Sequence, residues 1–152
     1  MVRMQEHDAL IADLEPLLAG AGLTLVELSL GRHRGSVQVH AVVYAASGTG
    51  TAECSKAHRL IYPRLQLLLG VEDPFLEVAS PGIDRSIRSS KEWSLFMGKG
   101  VRVLPRESAE WIRGRIAAAG SDGVTIATPA GDTAFAFADI AKARLDSSQE
   151  GD

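Results

Sequence analysis

The sequence predicts an α+β fold in two parts, a small α/β layer followed by a small β-barrel, and three observations predict it. Apolar residues recur with helical spacing over residues 7–19 and 51–69. Two runs of strand-like alternation flank the short loop Gly31-Arg32-His33-Arg34-Gly35. Short β-like runs separated by turns then fill the last third of the chain.

The first helix buries Leu10, Ile11, Leu14, Leu17 and Leu18 on one face. Pro16 removes a backbone bond and is expected to kink the last turn or begin a new one. Gly20 and Gly22 stop it. In the first strand Thr24, Val26, Leu28 and Leu30 share a face, with Leu25, Glu27 and Ser29 on the other. Alternation resumes with Val37, Val39, Ala41 and Val43, which makes a hairpin with Arg32, His33 and Arg34 exposed at its tip. Thr51 is the expected N-cap of the second helix, whose apolar stripe is Cys54, Ala57, His58, Ile61, Leu65 and Leu68. Pro63 falls on its solvent side and Gly70 ends it. Residues 75–79 read as a third strand, so the first part runs α-β-β-α-β. A short helical piece over 92–97 carries Trp93 and Phe96. Strands are then expected at 101–104, 111–117, 124–128, 133–137 and 140–145. Ser121-Asp122-Gly123 and Pro129-Ala130-Gly131-Asp132 are the clearest turns between them. A disordered tail is expected over 147–152.

Composition narrows the function classes. Hydrophobic residues at 45% and charged residues at 23% suit a folded soluble protein. Aromatic residues at 5% make any core mostly aliphatic. No apolar run has the length of a membrane span, and no stretch has the pattern of a signal peptide, so a cytoplasmic protein without membrane partners is expected. The single Cys54 can form no internal disulfide, which fits a reducing compartment. Net charge is −3, against a broadly cationic nucleic-acid coat. The charge is nevertheless uneven. Between Arg85 and Arg115 lie eight cations (Arg85, Arg88, Lys91, Lys99, Arg102, Arg106, Arg113, Arg115) and three anions, a local net of +5.

Catalytic chemistry finds no foothold. Cys54 and His58 stand one helical turn apart, but both fall on the apolar stripe and read as packing. One cysteine and four scattered histidines offer no metal-ligand spacing. Gly48-Thr49-Gly50 precedes a helix but lacks the Gly-Lys-Ser/Thr ending of a phosphate loop. Neither the aromatic sheet signature nor the Gly-x-x-Gly clamp of an RNA-reading module is present. No enzyme activity, no cofactor, no metal and no small-molecule substrate are therefore expected.

The segment Ser80-Pro81-Gly82-Ile83-Asp84-Arg85 has turn chemistry. Pro81 presets φ, and Gly82 can take the positive φ that a type II turn needs at its third position. The turn presents Asp84 and Arg85 where the two parts meet. Asp84 can cap the turn, and Arg85 can pair with a neighbour or reach a partner.

Residues 76–85, Leu-Glu-Val-Ala-Ser-Pro-Gly-Ile-Asp-Arg, closely resemble the signature of the RimP family, bacterial ribosome maturation factors. The similarity extends through Glu72-Asp73-Pro74, through residues 92–103, and to the closing run 140–145. The chain departs from the family in a shorter stretch after Pro74, in Ser86 where a proline is common, and in lacking acidic residues around Thr51. The resemblance implies a KH-like α/β domain over 1–84, a linker over 85–91, and an Sm-like (Src-homology-three-like) five-stranded β-barrel over 92–146. It implies a non-catalytic monomer that binds the free or immature small (30S) ribosomal subunit. The implied partners are rRNA and ribosomal proteins near the decoding region. Expected contacts are the eight cations from Arg85 to Arg115 together with Arg32 and Arg34, and the signature turn Ser80, Pro81, Gly82, Asp84 and Arg85 is expected to join the domains. The alternative is a general Sm-type RNA-binding protein acting on small RNAs.

Overall fold

The computed structural model describes residues 2–82 and 84–150, without the side chains of residues 2–5. Ile83, within the signature turn, lies outside the described residues. The chain divides into two compact units, Met1–Pro81 and Gly82–Asp152.

The first unit contains α1 (Val2–Ala19), β1 (Thr24–His33), β2 (Ser36–Tyr44), α2 (Thr51–Leu69) and β3 (Phe75–Ala79). Its sheet has the order β1-β2-β3, with β1 antiparallel and β3 parallel to β2. Sheet alternation explains the core. Val37, Val39, Ala41 and Val43 of β2 all face inward and are at most 2% exposed. They meet Leu10, Leu14 and Leu18 of α1 and Ala57, Ile61 and Leu65 of α2. A bidentate pair from Arg64 Nε and Nη2 to the Asp13 carboxylate, at 2.9 and 2.7 Å, ties the two helices. That guanidinium holds the Asp13 carboxyl below its ordinary pKa.

Several local expectations change. α1 begins five residues earlier than residue 7, and Glu6 there accepts a 2.6 Å bond from Arg32 of β1. It runs on through Pro16, which is exposed, so solvent can take the carbonyl that the proline leaves unbonded. β1 does not alternate simply. Leu25 faces Val43 while Glu27 faces Val42, so Val26 is a bulged extra residue. Leu25 and Leu28 are consequently both buried. The hairpin is tighter than a five-residue loop, since His33 pairs with Ser36. Arg34 and Gly35 form the turn with φ 51° and 82°, both in the left-handed region that a type I′ hairpin turn requires. Gly50, not Thr51, is the N-cap of α2, and its N–H donates to Glu53 at 2.8 Å. His58 and Leu68 are exposed, leaving the buried stripe to Ala57, Ile61 and Leu65.

The second unit has a short helix α3 (Ser90–Leu95), then β4 (Gly100–Pro105), β5 (Ile112–Ala119), β6 (Gly123–Thr128), β7 (Gly131–Ala136) and β8 (Ile140–Leu145). These strands form one sheet in the order β7-β6-β5-β4-β8. Every neighbouring pair is antiparallel. Its core is Trp93, Phe96, Val101, Val103, Ile116, Val124, Ile126, Ala143 and Leu145.

Residues 85–91 are not a free connector. Leu145 N–H donates to Arg85 O and Ile87 N–H to Ala143 O, both at 2.9 Å, so residues 85–87 lie along β8. Ser86 forms a bridge with Arg144. The expected disordered tail also gives way over residues 147–150, while 151–152 lie outside the described residues. Asp146 caps a 3-10 turn at Ser147–Gln149 by accepting from Ser148 N–H at 3.1 Å, and Glu150 Oε2 accepts from Gly100 N–H at 3.1 Å. Gly100 allows this close packing, because a Cβ there would overlap the Asp146 carbonyl oxygen.

Candidate nucleic-acid interface

The outward face of β8, β4 and β5 gathers the cations. In β4 the side chains of Val101 and Val103 point into the core, so Arg102 between them points out. Arg102 faces Arg113 of β5 on one side and Arg144 of β8 on the other. Three arginines thus stand in one row across three strands, spaced by roughly 5 Å of sheet per step. Arg115 lies next along β5, opposite Gly100, and Lys142 next along β8, opposite Leu104.

Like charges directly opposed across strands are unfavourable, and two carboxylates offset them here. Asp146 Oδ2 lies 3.6 Å from Arg102 Nη1 and 3.8 Å from Arg113 Nε. Asp84 approaches the third member, with Oδ2 4.0 Å from Arg144 Nη2 and its carbonyl accepting from Arg144 Nε at 3.2 Å. Asp146 is buried, and the hydrogen bond from Ser148, with help from Arg102, keeps its carboxyl below the ordinary value. Arg102 also lies 5.8 Å above the Trp111 ring. Arg115 Nε donates to Gln149 O at 3.4 Å. Five cations against three carboxylates, Asp146, Asp84 and the Glu150 that lies over Gly100 opposite Arg115, leave this face positive. Arg113 and Arg144 keep about half their side chains accessible, at 54% and 43%.

The remaining expected contacts scatter. Arg85 is a correction. Its side chain is 9% exposed and binds Glu92 through Nε–Oε1 at 2.9 Å and Nη2–Oε2 at 3.3 Å, so it is engaged inside the second unit and offers no charge to a ligand. Arg88 and Lys91 are exposed at the start of α3 and already hold partners. Lys99 is half-buried before β4. Arg106 donates to Ala138 O at 2.7 Å beyond the end of β4. Arg32 pairs with Glu6 and Arg34 occupies the hairpin turn, both in the first unit. Of the signature turn, Ser80 and Gly82 are exposed, Pro81 is half-buried, and Gly82 has the left-handed φ of 82° that its position requires.

Lys142 and Arg144 are not among the contacts expected from sequence. Charge along the chain sets them in an acidic stretch. Alternation along the closing strand is the signal that puts both on one face.

Other chemistry is sparse. Cys54 is half-buried, while the exposed His58 ring stacks on Tyr62 at 5.7 Å instead of packing in the core. Among the described residues no group of three or more His, Cys, Asp or Glu side chains could hold a metal ion. No helix among them is long and apolar enough to cross a membrane.

Fold and surface together define a two-unit α+β protein with one cationic sheet face. Residues 13–84 match the RimP N-terminal domain. The chain is 26% identical over 145 residues to the ribosome maturation factor RimP of Borrelia hermsii (strain HS1 / DAH), spanning 95% of this chain and 99% of that protein. It is 27% identical over 148 residues to the factor of the same name from Borrelia recurrentis (strain A1), with the same coverage. Over most of its length the chain is thus similar to ribosome maturation factors of that name, and residues 13–84 carry the match to their N-terminal domain.

Proposed function

We propose that the chain is a ribosome maturation factor that binds the free or immature small ribosomal subunit in the cytoplasm and catalyses no reaction. Its arginine row, Arg144–Arg102–Arg113 with Arg115 and Lys142, contacts rRNA phosphates, and a ribosomal protein near the decoding region completes the interface. The row is the observation that carries the reading. Backbone phosphates repeat along a strand, and a line of guanidiniums on a rigid sheet meets them without sequence preference. The names of the relatives supply the ribosomal context.

In this reading the first unit is a KH-like domain and the second an Sm-like barrel. Supporting the latter, β8 returns to pair with β4, the arrangement of a small five-stranded barrel. The protein acts as a monomer. A ring-forming Sm protein on small RNAs would need free strand edges, whereas residues 85–87 already cover the β8 edge over Ala143 to Leu145.

The test is cosedimentation with small subunits over a range of salt. Removing one cation that neutralises a phosphate should lower the log–log salt slope by about 0.7–0.9. Arg113→Ala with Arg144→Ala should therefore flatten the slope by nearly two such steps. Binding indifferent both to salt and to this pair of substitutions would sink the proposal.

A further inference from the structure

A hollow in the second unit lies beside the arginine row. Ile87 is the last residue of the incoming segment bonded to β8, and the chain then turns away into α3. β8 is bulged at the same level. Leu104 faces Lys142 and Pro105 faces Ile140, which leaves Ala141 without a partner on β4. Between the departing segment and the bulge opens a hollow floored by Trp93 and Phe137. Their rings lie 6.2 Å apart and within 21° of parallel. Trp93 is 4% exposed and rigidly held, and Phe137 is the half-buried member that a ligand reaches. Arg88 and Lys142 stand at the rim with the hydroxyls of Ser89 and Ser90.

We infer that this hollow holds one unstacked base of a single-stranded RNA whose flanking phosphate lies on Lys142. A flat aromatic floor under a cationic rim matches the two halves of a nucleotide, a π-face and a phosphate. Continuity supports the same ligand. Lys142 belongs both to the rim and to the outward face that carries Arg144 and Arg102, so a strand tracking the arginine row reaches the hollow without leaving positive surface. An acidic peptide would satisfy the cations and gain little from the rings. The inference rests on the phosphate-binding reading of that row.

The experiment compares a six-nucleotide single-stranded RNA with an abasic strand of equal length, both binding the full chain in fluorescence anisotropy. The base-bearing strand should bind about tenfold tighter. Phe137→Leu keeps the apolar filling, and it should cut that preference to about twofold while leaving the abasic affinity unchanged. In a Trp111→Phe background the base-bearing strand should quench Trp93 fluorescence and the abasic strand should not. That readout keeps the test decisive if Phe137→Leu fails to fold. Equal affinities, or equal quenching, would overturn the base site and leave the arginine row standing. Binding of neither strand would overturn both. Displacement of the base-bearing strand by a short acidic peptide at lower concentration would assign the hollow to protein instead.

Discussion

Arg85 and Glu92 form a two-bond ion pair with both side chains buried, at 9% and 4% exposure. The pair joins the segment that lies along β8 to the first turn of α3, and Ser89 Oγ donates to the same carboxylate at 3.3 Å. Removing one partner leaves an uncompensated buried charge, which costs about 3–5 kcal/mol. Glu92→Ala should therefore lower the chemical-denaturation midpoint of the second unit steeply. Arg85→Lys should recover little of the loss in the reverse test, because an ammonium cannot reproduce the fork. A midpoint unchanged in Glu92→Ala would contradict the pairing.

The turn at Asp146 should be lost in acid. Its carboxyl titrates lower in the folded chain than its ordinary 3.8, because Ser148 donates to the charged form and Arg102 lies near. A depressed carboxyl contributes its stability fully above the ordinary value, and that contribution disappears as pH falls through the lower folded value. Amide exchange at Ser148 should accelerate only below about pH 4, and in Asp146→Ala, which removes the accepting oxygen, it should be fast and insensitive to pH over that window once intrinsic exchange is divided out.

Arg34 is the only non-glycine with positive φ among the described residues, at 51°. A side chain in that region costs roughly 1 kcal/mol, and glycine pays almost none of it. Arg34→Gly should stabilise the first unit by up to about that amount in urea denaturation. A loss of stability would mean that the Arg34 side chain holds the hairpin in some other way.

Gly100→Ala should be among the most damaging small substitutions in the chain. The new methyl meets the Asp146 carbonyl, which belongs to backbone and cannot swing aside. A cost of about 1–3 kcal/mol is expected, accompanied by loss of amide protection at Ser148. Gly31→Ala, with open space around its Cβ, is the matched control and should change little.

Much of the architecture is legible in the sequence because it depends on one buried face per element. The inward set Val37, Val39, Ala41 and Val43 follows from strand period alone, and each is buried. β1 departs from its period for a reason that local pattern cannot supply. The bulge at Val26 is a property of pairing with β2, and it shifts the buried set to Leu25 and Leu28. The candidate interface shows the same limit. Arg102, Arg113 and Arg115 stand out by charge density, but their row with Arg144 exists only once β8 lies beside β4. Arg85 reads as a surface cation because its partner is seven residues away, across a turn whose geometry the sequence leaves open.

The pairing of residues 85–87 with β8 sets a condition on synthesis. Everything the first unit needs is encoded before Pro81, so it can fold while translation continues. The second unit cannot behave this way. Arg85 O waits for the N–H of Leu145, and β4 waits for the same closing strand. Contacts so distant along the chain form slowly. A nascent protein stalled before β8 would carry a finished first unit followed by strands with an unpaired edge, the form most exposed to misassociation.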